Sequence, residues 1–296
     1  QRLGVKAGHR PGVQPQAAGG HDEVGGLHRA VAEGGFDVWL YNFNSQTLGR
    51  RTFDGESSRQ IWSKDGERLI YRCGTNSLCT TAANGTDTPS TLVEGLRLPT
   101  PYAQLDNTKL IVGIGAPEQI HIMDSSADAE TLLTNLELSP SENKEARLSQ
   151  DQKWLAYSSD ETGRKEIYVR PFPDVETGKW QVSRQGGSFP IWNQASNEII
   201  WWSPETDQIM TAHFNVAQEN ENAISFSNPT ALFNAPYRTS TNFFPFDYNS
   251  ANEEFVFISP DSSNSGSSVL ALQTRLKVIE NFSQELRNAA PAFRLQ

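Results

Sequence analysis

Leu148 to Tyr157 reads LSQDQKWLAY, and the same outline occurs four more times along the chain. Trp62 to Tyr71 is WSKDGERLIY, Ala103 to Val112 is AQLDNTKLIV, Trp192 to Trp201 is WNQASNEIIW and Tyr248 to Phe257 is YNSANEEFVF. In each copy a strand ends on an apolar or aromatic residue, a polar turn reverses the chain, and an alternating strand returns with large apolar side chains. Asp65-Gly66 and Asp106-Asn107 suit the turn because Gly, Asn and Asp tolerate the positive φ of tight hairpins. The unit is a β-hairpin. Starts at 62, 103, 148, 192 and 248 are 41, 45, 44 and 56 residues apart, which matches the period of a four-stranded propeller blade; a sandwich would require no period.

Outward from each hairpin comes a third strand with period-two alternation, as in Glu166-Ile167-Tyr168-Val169, Gln119-Ile120-His121-Ile122 and Gln208-Ile209-Met210. A weaker fourth follows at Lys179 to Val182, Thr131 to Leu133 and Ala231 to Phe233. The sequence therefore predicts an all-β fold: a six-bladed β-propeller of four-stranded antiparallel blades over 36–296, with repeats starting near 57, 99, 143, 187 and 242. Asp37 to Phe53 (DVWLYNFNSQTLGRRTF) reads as the outer half of a first blade over 36–55. Its inner hairpin is missing, which predicts a gap or seam in the ring. Helical periodicity enters only at Val278 to Ala289, where a short amphipathic C-terminal helix is expected.

Residues 1–35 hold nine glycines, three of the five histidines and no aromatic residue. Such a segment cannot bury enough apolar surface to offset its chain entropy, so it is expected to be a disordered or non-native leader on an N-terminally truncated fragment. It lacks the apolar core of a secretory signal. The 296 residues carry a formal net charge of −10, which argues against a phosphate-backbone binder and hence against a nucleic-acid partner. No apolar run reaches the ~18 residues of a membrane-spanning helix, so no membrane insertion is expected. Cys73 and Cys79 fit neither a CxxC pair nor a zinc knuckle; they are expected as ordinary strand residues, with a local disulfide as the lesser alternative.

The run Ala146 to Trp192 (ARLSQDQKWLAYSSDETGRKEIYVRPFPDVETGKWQVSRQGGSFPIW) resembles the repeats of TolB-like propellers, those appended to bacterial serine/threonine kinases and winged-helix regulators in particular. The matching parts are Tyr168 to Pro173, Lys179 to Ser183 and Gly186-Gly187, and Glu280 to Arg287 is similar to the closing helix of such chains. Gln194-Ala195-Ser196 and Ser250-Ala251-Asn252 depart from the family's Pro-Asp-Gly turn. The resemblance implies a non-catalytic module that binds a protein, peptide or other ligand through its ring faces, with no cofactor. It leaves bacterial cytoplasm and periplasm equally open, and the oligomeric state with them.

Innermost strands should run just before each turn. That places Arg59, Tyr102, Phe189 and Phe244 as ligand-binding candidates along the axis. The enzymatic alternative is a metal-dependent hydrolase of esters, lactones or phosphotriesters. Its site would hold a divalent cation such as Ca²⁺ or Zn²⁺ through Asn143, Glu145 and Asn242, with Glu145 as the catalytic candidate. A self-contained serine hydrolase is not expected, because no G-x-S-x-G occurs in the chain. His121 and His213 read as strand residues away from the axis, and Trp201-Trp202 as packing residues that face opposite sides of one strand.

Overall fold

A computed structural model describes residues 3–5, 24–30, 36–42, 47–217, 223–235, 246–249, 254–260 and 274–279. These form six antiparallel sheets in chain order. Sheet 1 holds β1 (Leu3–Val5), β2 (Val24–Ala30), β3 (Phe36–Asn42) and β4 (Thr47–Arg50). Sheet 2 holds β5 (Ser57–Trp62), β6 (Arg68–Cys73), β7 (Ser77–Ala82) and β8 (Ser90–Val93). Sheet 3 holds β9 (Thr100–Gln104), β10 (Lys109–Ile114), β11 (Gln119–Asp124) and β12 (Leu133–Asn135). Sheet 4 holds β13 (Asn143–Leu148), β14 (Trp154–Ser159), β15 (Glu166–Pro171) and β16 (Trp180–Gln181). Sheet 5 holds β17 (Ser188–Asn193), β18 (Glu198–Ser203), the long β19 (Gln208–Val216) and two short partners of β19, β20 (Ile224–Phe226) and β21 (Thr230–Asn234). Sheet 6 holds β22 (Phe246–Asn249), β23 (Glu254–Pro260) and β24 (Thr274–Ile279).

The protein is a six-bladed β-propeller. β2 and β3 pack on β5, β5 on β9, β9 on β13 and β13 on β17; sheet 5 meets sheet 6 through Asn193 with Tyr248 and Phe233 with Phe255, and β1 lies beside β23 and β24, which brings the first sheet against the last. A ring of this kind leaves no long strand edge exposed. Its first sheet has four strands where the sequence suggested two: β2 pairs with β3 from Val24↔Asn42 to Ala30↔Phe36, and β1 pairs with β2. The leader thus supplies the inner hairpin that the sequence reading lacked, through residues that hold no aromatic side chain and gave no strand signal. The C-terminal helix falls outside the described residues, save that Val278 and Ile279 belong to β24.

The hairpin turns repeat one physical device. Ser63 Oγ donates to Asp65 Oδ1 at 2.5 Å and accepts the Arg68 N–H at 2.9 Å. Ser149 Oγ does the same with Asp151 at 2.6 Å and the Trp154 N–H at 3.0 Å. The positive φ that the turn demands falls on Gly66 (73°) in sheet 2 and on Gln152 (59°) in sheet 4. A second device holds the outer part of the blades. Buried Glu166 accepts from Ser183 Oγ and from the Gly186 N–H, while the Ile167 N–H donates to Ser183 Oγ. In sheet 1 Asp37, Thr52, Gly55 and Val38 repeat that arrangement. Gly187 has no space for a side chain, since a Cβ would stand 2.6 Å from Ile167 Cγ1.

The core lies between the blades. Trp201 belongs to one buried cluster with Trp154, Val169 and Ile199, whereas Trp202 belongs to another with Tyr102 and Ile200 and stacks on Phe189. The two indoles face opposite sides, as alternation requires. Cys73 and Cys79 are joined by a disulfide across the β6–β7 hairpin, with Cα atoms 5.8 Å apart. The reading of both as ordinary strand residues is therefore corrected: the hairpin register brings them together, which the five-residue gap alone did not show. No helix among the described residues is long and apolar enough to cross a membrane.

Candidate ligand-binding end of the ring

Three inner strands carry the same irregularity. Arg59-Gln60 in β5, Glu145-Ala146 in β13 and Phe189-Pro190 in β17 each set two residues against one on the neighbouring strand. The first residue of each pair has positive φ: Arg59 61°, Glu145 60° and Phe189 58°. Such a conformation costs a non-glycine residue about 1–2 kcal/mol. In β9 the shift falls between Ile111 and Val112, and the position matching Arg59 is Pro101, whose ring fixes φ negative. Tyr102 therefore stands level with Gln60 and not with Arg59.

A chain of contacts joins the bulges. The Tyr102 hydroxyl accepts the Glu145 N–H at 2.8 Å and donates to Glu118 Oε1. Glu145 Oε2 accepts the Phe189 N–H and the Ser158 hydroxyl, both at 2.8 Å. A bulge frees its N–H from the ladder, and here a side chain of the preceding blade captures it. Tyr102 and Phe189 are each 4% exposed and Glu145 5%. They form a buried floor beneath the ring end, and Arg59 alone of the described ligand candidates is partly exposed.

Charge gathers around that floor. Burial pushes the Glu118 carboxyl up to about 7, against the pull of the Tyr102 hydroxyl, Arg59 and Lys144. Burial also raises the Tyr102 phenol well above its ordinary range, with the Glu118 charge adding to the effect. Arg147 is held below the usual guanidinium range by burial, opposed by Asp247, Tyr102 and Glu145. Lys144 pairs with Glu142 at 2.7 Å, and Lys165 approaches the same carboxylate at 3.8 Å. Burial of Arg72 and the neighbouring Arg59 charge lower the Arg72 guanidinium.

Of the metal set, Asn143 and Glu145 lie among the described residues. Asn143 is fully buried; its amide donates to Gln119 Oε1, Ser139 O and Ser141 O, and its oxygen accepts from Ser139 Oγ. That side chain is committed to the seam between sheets 3 and 4. Asn242 and Phe244 lie outside the described residues. Among the described residues no group of three or more His, Cys, Asp or Glu stands together as a cation site. His121 Nδ1 lies 3.0 Å from Gln119 O, and His213 Nε2 lies 3.6 Å from Glu198, so both serve their strands. Sequence reasoning missed Glu118, Gln60 and Arg72. Aligning the partners of the bulges across blades would have exposed Arg72, whose counterparts are Gly113, Ser158 and Trp202.

No family model matches the chain, and no curated protein matches it by sequence. Solved structures do. TolB from Acinetobacter baumannii superposes with a TM-score of 0.61 at 11% identity, covering 95% of this chain and 61% of that one. A putative TolB from Agrobacterium tumefaciens gives 0.57 at 11% identity, covering 78% and 82%. A puromycin-hydrolyzing peptidase from Mycobacterium tuberculosis gives 0.56 at 14% identity, covering 96% of this chain and 45% of the enzyme. At these identities the likeness is one of fold, and it is the TolB-like β-propeller fold that this chain adopts.

Proposed function

We propose that the protein is a binding module that takes a protein or peptide partner at the ring end carrying the bulges. The observation that carries this reading is the repeated strained position occupied by Arg59, Glu145 and Phe189. Glu145 and Phe189 join the blades at that position, and Arg59 is the partly exposed cation held in the same strained conformation at the ring end. Propeller structures of the same fold are recorded with partners, the nidogen/laminin complex being one, at a TM-score of 0.53 and 10% identity.

The test has two arms. In the first, peptides are selected from a displayed library against the purified chain and re-measured on Arg59→Ala. Loss of at least about tenfold in affinity, or ~1.4 kcal/mol, supports the reading. In the second, aryl ester, lactone and phosphotriester substrates are offered with and without chelator, followed by Ca²⁺ or Zn²⁺. Chelator-sensitive turnover that returns with one metal and disappears in Glu145→Gln would replace the binding module by a metal-dependent hydrolase.

A further inference from the structure

We infer that Lys165 is a nucleophilic amine that forms an imine with an uncharged aldehyde, with Lys144 as its proton donor. The inference adds covalent chemistry beside the Glu145 bulge and does not depend on a peptide partner. Lys144 follows Asn143 at the start of β13 and pairs with Ser158, while Lys165 directly precedes β15. Their side chains converge on one oxygen: Lys144 Nζ lies 2.7 Å and Lys165 Nζ 3.8 Å from Glu142 Oε2. The two amines also hydrogen-bond to each other. All three side chains reach solvent, with 22% of Lys144, 30% of Lys165 and 28% of Glu142 exposed, so a small solute has access to them.

A hydrogen bond between two amines needs a free lone pair on one of them, because an ammonium has donors and no acceptor. Lys144 is the closer to Glu142 and keeps its proton: burial opposes the charge, but Glu142 and Lys165 together raise it above the ordinary lysine range. Burial lowers Lys165, against the pull of Glu145, and the contact with Lys144 lowers it further. The acceptor is therefore the Lys165 nitrogen. A lysine freed of its proton by desolvation and a neighbouring cation is set up as an amine nucleophile. Its lone pair attacks the aldehyde carbon as Lys144 protonates the carbonyl oxygen, and the proton shed by the nitrogen returns to Lys144. A second passage of the same kind carries the hydroxyl off as water and leaves the C=N bond, with nothing oxidised or reduced. Charge selects the carbonyl compound. Glu142 and Glu145 act on both lysines, and Glu118 of sheet 3 acts on Lys144. One ammonium among those carboxyls leaves no surplus positive charge, so an α-keto acid meets repulsion where a neutral aldehyde does not.

The experiment treats the full chain with glycolaldehyde and cyanoborohydride, which reduces the imine to a stable secondary amine, and reads each lysine by peptide mass mapping. Lys109 and Lys179 are the internal controls: their side chains are more exposed, at 47% and 40%, and pair with Asp124 and Glu161. Lys165 is expected to be labelled at least about fivefold faster than either at about pH 7, the ratio shrinking towards about pH 10 as every lysine loses its proton. Lys144→Met is expected to bring Lys165 down to the control rate, because Glu142 then holds the Lys165 proton. Lys144→Arg keeps the neighbouring charge and is expected to keep Lys165 ahead of the controls. Glyoxylate, offered in the same way, is expected to show no preference for Lys165. Equal labelling of the three lysines in the parent chain, a ratio that does not change with pH, or a Lys144→Met chain that melts like the parent and keeps the preference would each overturn the nucleophile. A preference that glyoxylate shares would overturn the choice of a neutral carbonyl compound. Peptides lost on Arg59→Ala together with no preference at Lys165 would leave the ring-end reading standing and remove the imine site.

Discussion

Glu118 occupies the space that Gly113 leaves empty. A Cβ at Gly113 would stand 1.8 Å from Glu118 Oε1 and 2.6 Å from its Cδ, so Gly113→Ala must expel the carboxyl from its contact with Tyr102. The expected loss is about 1–3 kcal/mol in a urea titration, mostly from leaving a buried phenol hydroxyl without its acceptor. Glu118 also gives a pH dependence whose sign is fixed. Burial raises its carboxyl from the ordinary 4.5 to about 7 in the folded chain, so the fold holds the proton more tightly than the unfolded chain does. Its contribution is fully present below pH 4.5 and is lost as pH rises through about 7. Unfolding free energies measured between pH 4.5 and 8 should show this decline, and Glu118→Gln should flatten it. Arg59, Glu145 and Phe189 were legible in the sequence because each immediately precedes a hairpin whose turn is visible. Tyr102 stands level with Gln60 and not with Arg59, in a blade whose turn from Leu105 to Lys109 is one residue shorter than that from Ser63 to Arg68. Glu118 and Gln60 were not legible, because nothing in a two-residue alternation tells which polar side chain will be enclosed.

The elements were read correctly where turn and strand signals coincide. Hairpins announced themselves through Asp, Gly and Asn, and third strands through alternation. Outermost strands were fainter, since β12 and β16 contribute three and two residues with exposed or half-exposed side chains. The hairpin turns allow two predictions of opposite sign in the same loop. Ser149→Ala removes the acceptor of the buried Trp154 N–H and should cost about 1–3 kcal/mol. Gln152→Gly relieves a residue held at φ 59° in the place where sheet 2 has Gly66. Strain relief of about 1–2 kcal/mol exceeds the ~0.5–1 kcal/mol by which Gly loosens the unfolded chain. A net gain of up to about 1 kcal/mol is expected from the denaturant midpoint at unchanged m. Equal effects of the two substitutions would mean that the turn is not organised by the Ser149 hydroxyl.

At the scale of the whole molecule the question is where the ring closes. Every sheet after the first is written into the sequence by its own hairpin, and the 41- to 56-residue spacing made the ring visible before any contact was known. Closure was not visible, because β1 and β2 come from a stretch with nine glycines and no aromatic residue. The backbone nevertheless pairs seven residues of β2 with β3 and sets β1 beside β23 and β24. Removing residues 1–35 would uncover the ladder edge of β3 and take away the strand that meets the last sheet. Exposed strand edges pair with other edges, so the shortened chain is expected to unfold at lower temperature and to self-associate in sedimentation velocity, while the full chain unfolds in one cooperative step. Size gives the direction of the effect: a ring gains its stability from every neighbouring pair of blades, and losing one seam exposes two inner faces at once. A shortened chain that stays monomeric and melts at the parent temperature would show that closure lies elsewhere and that β1 and β2 add nothing to the ring. A lowered melting temperature that a synthetic peptide of residues 20–35 restores in trans would place the seam at β2 itself.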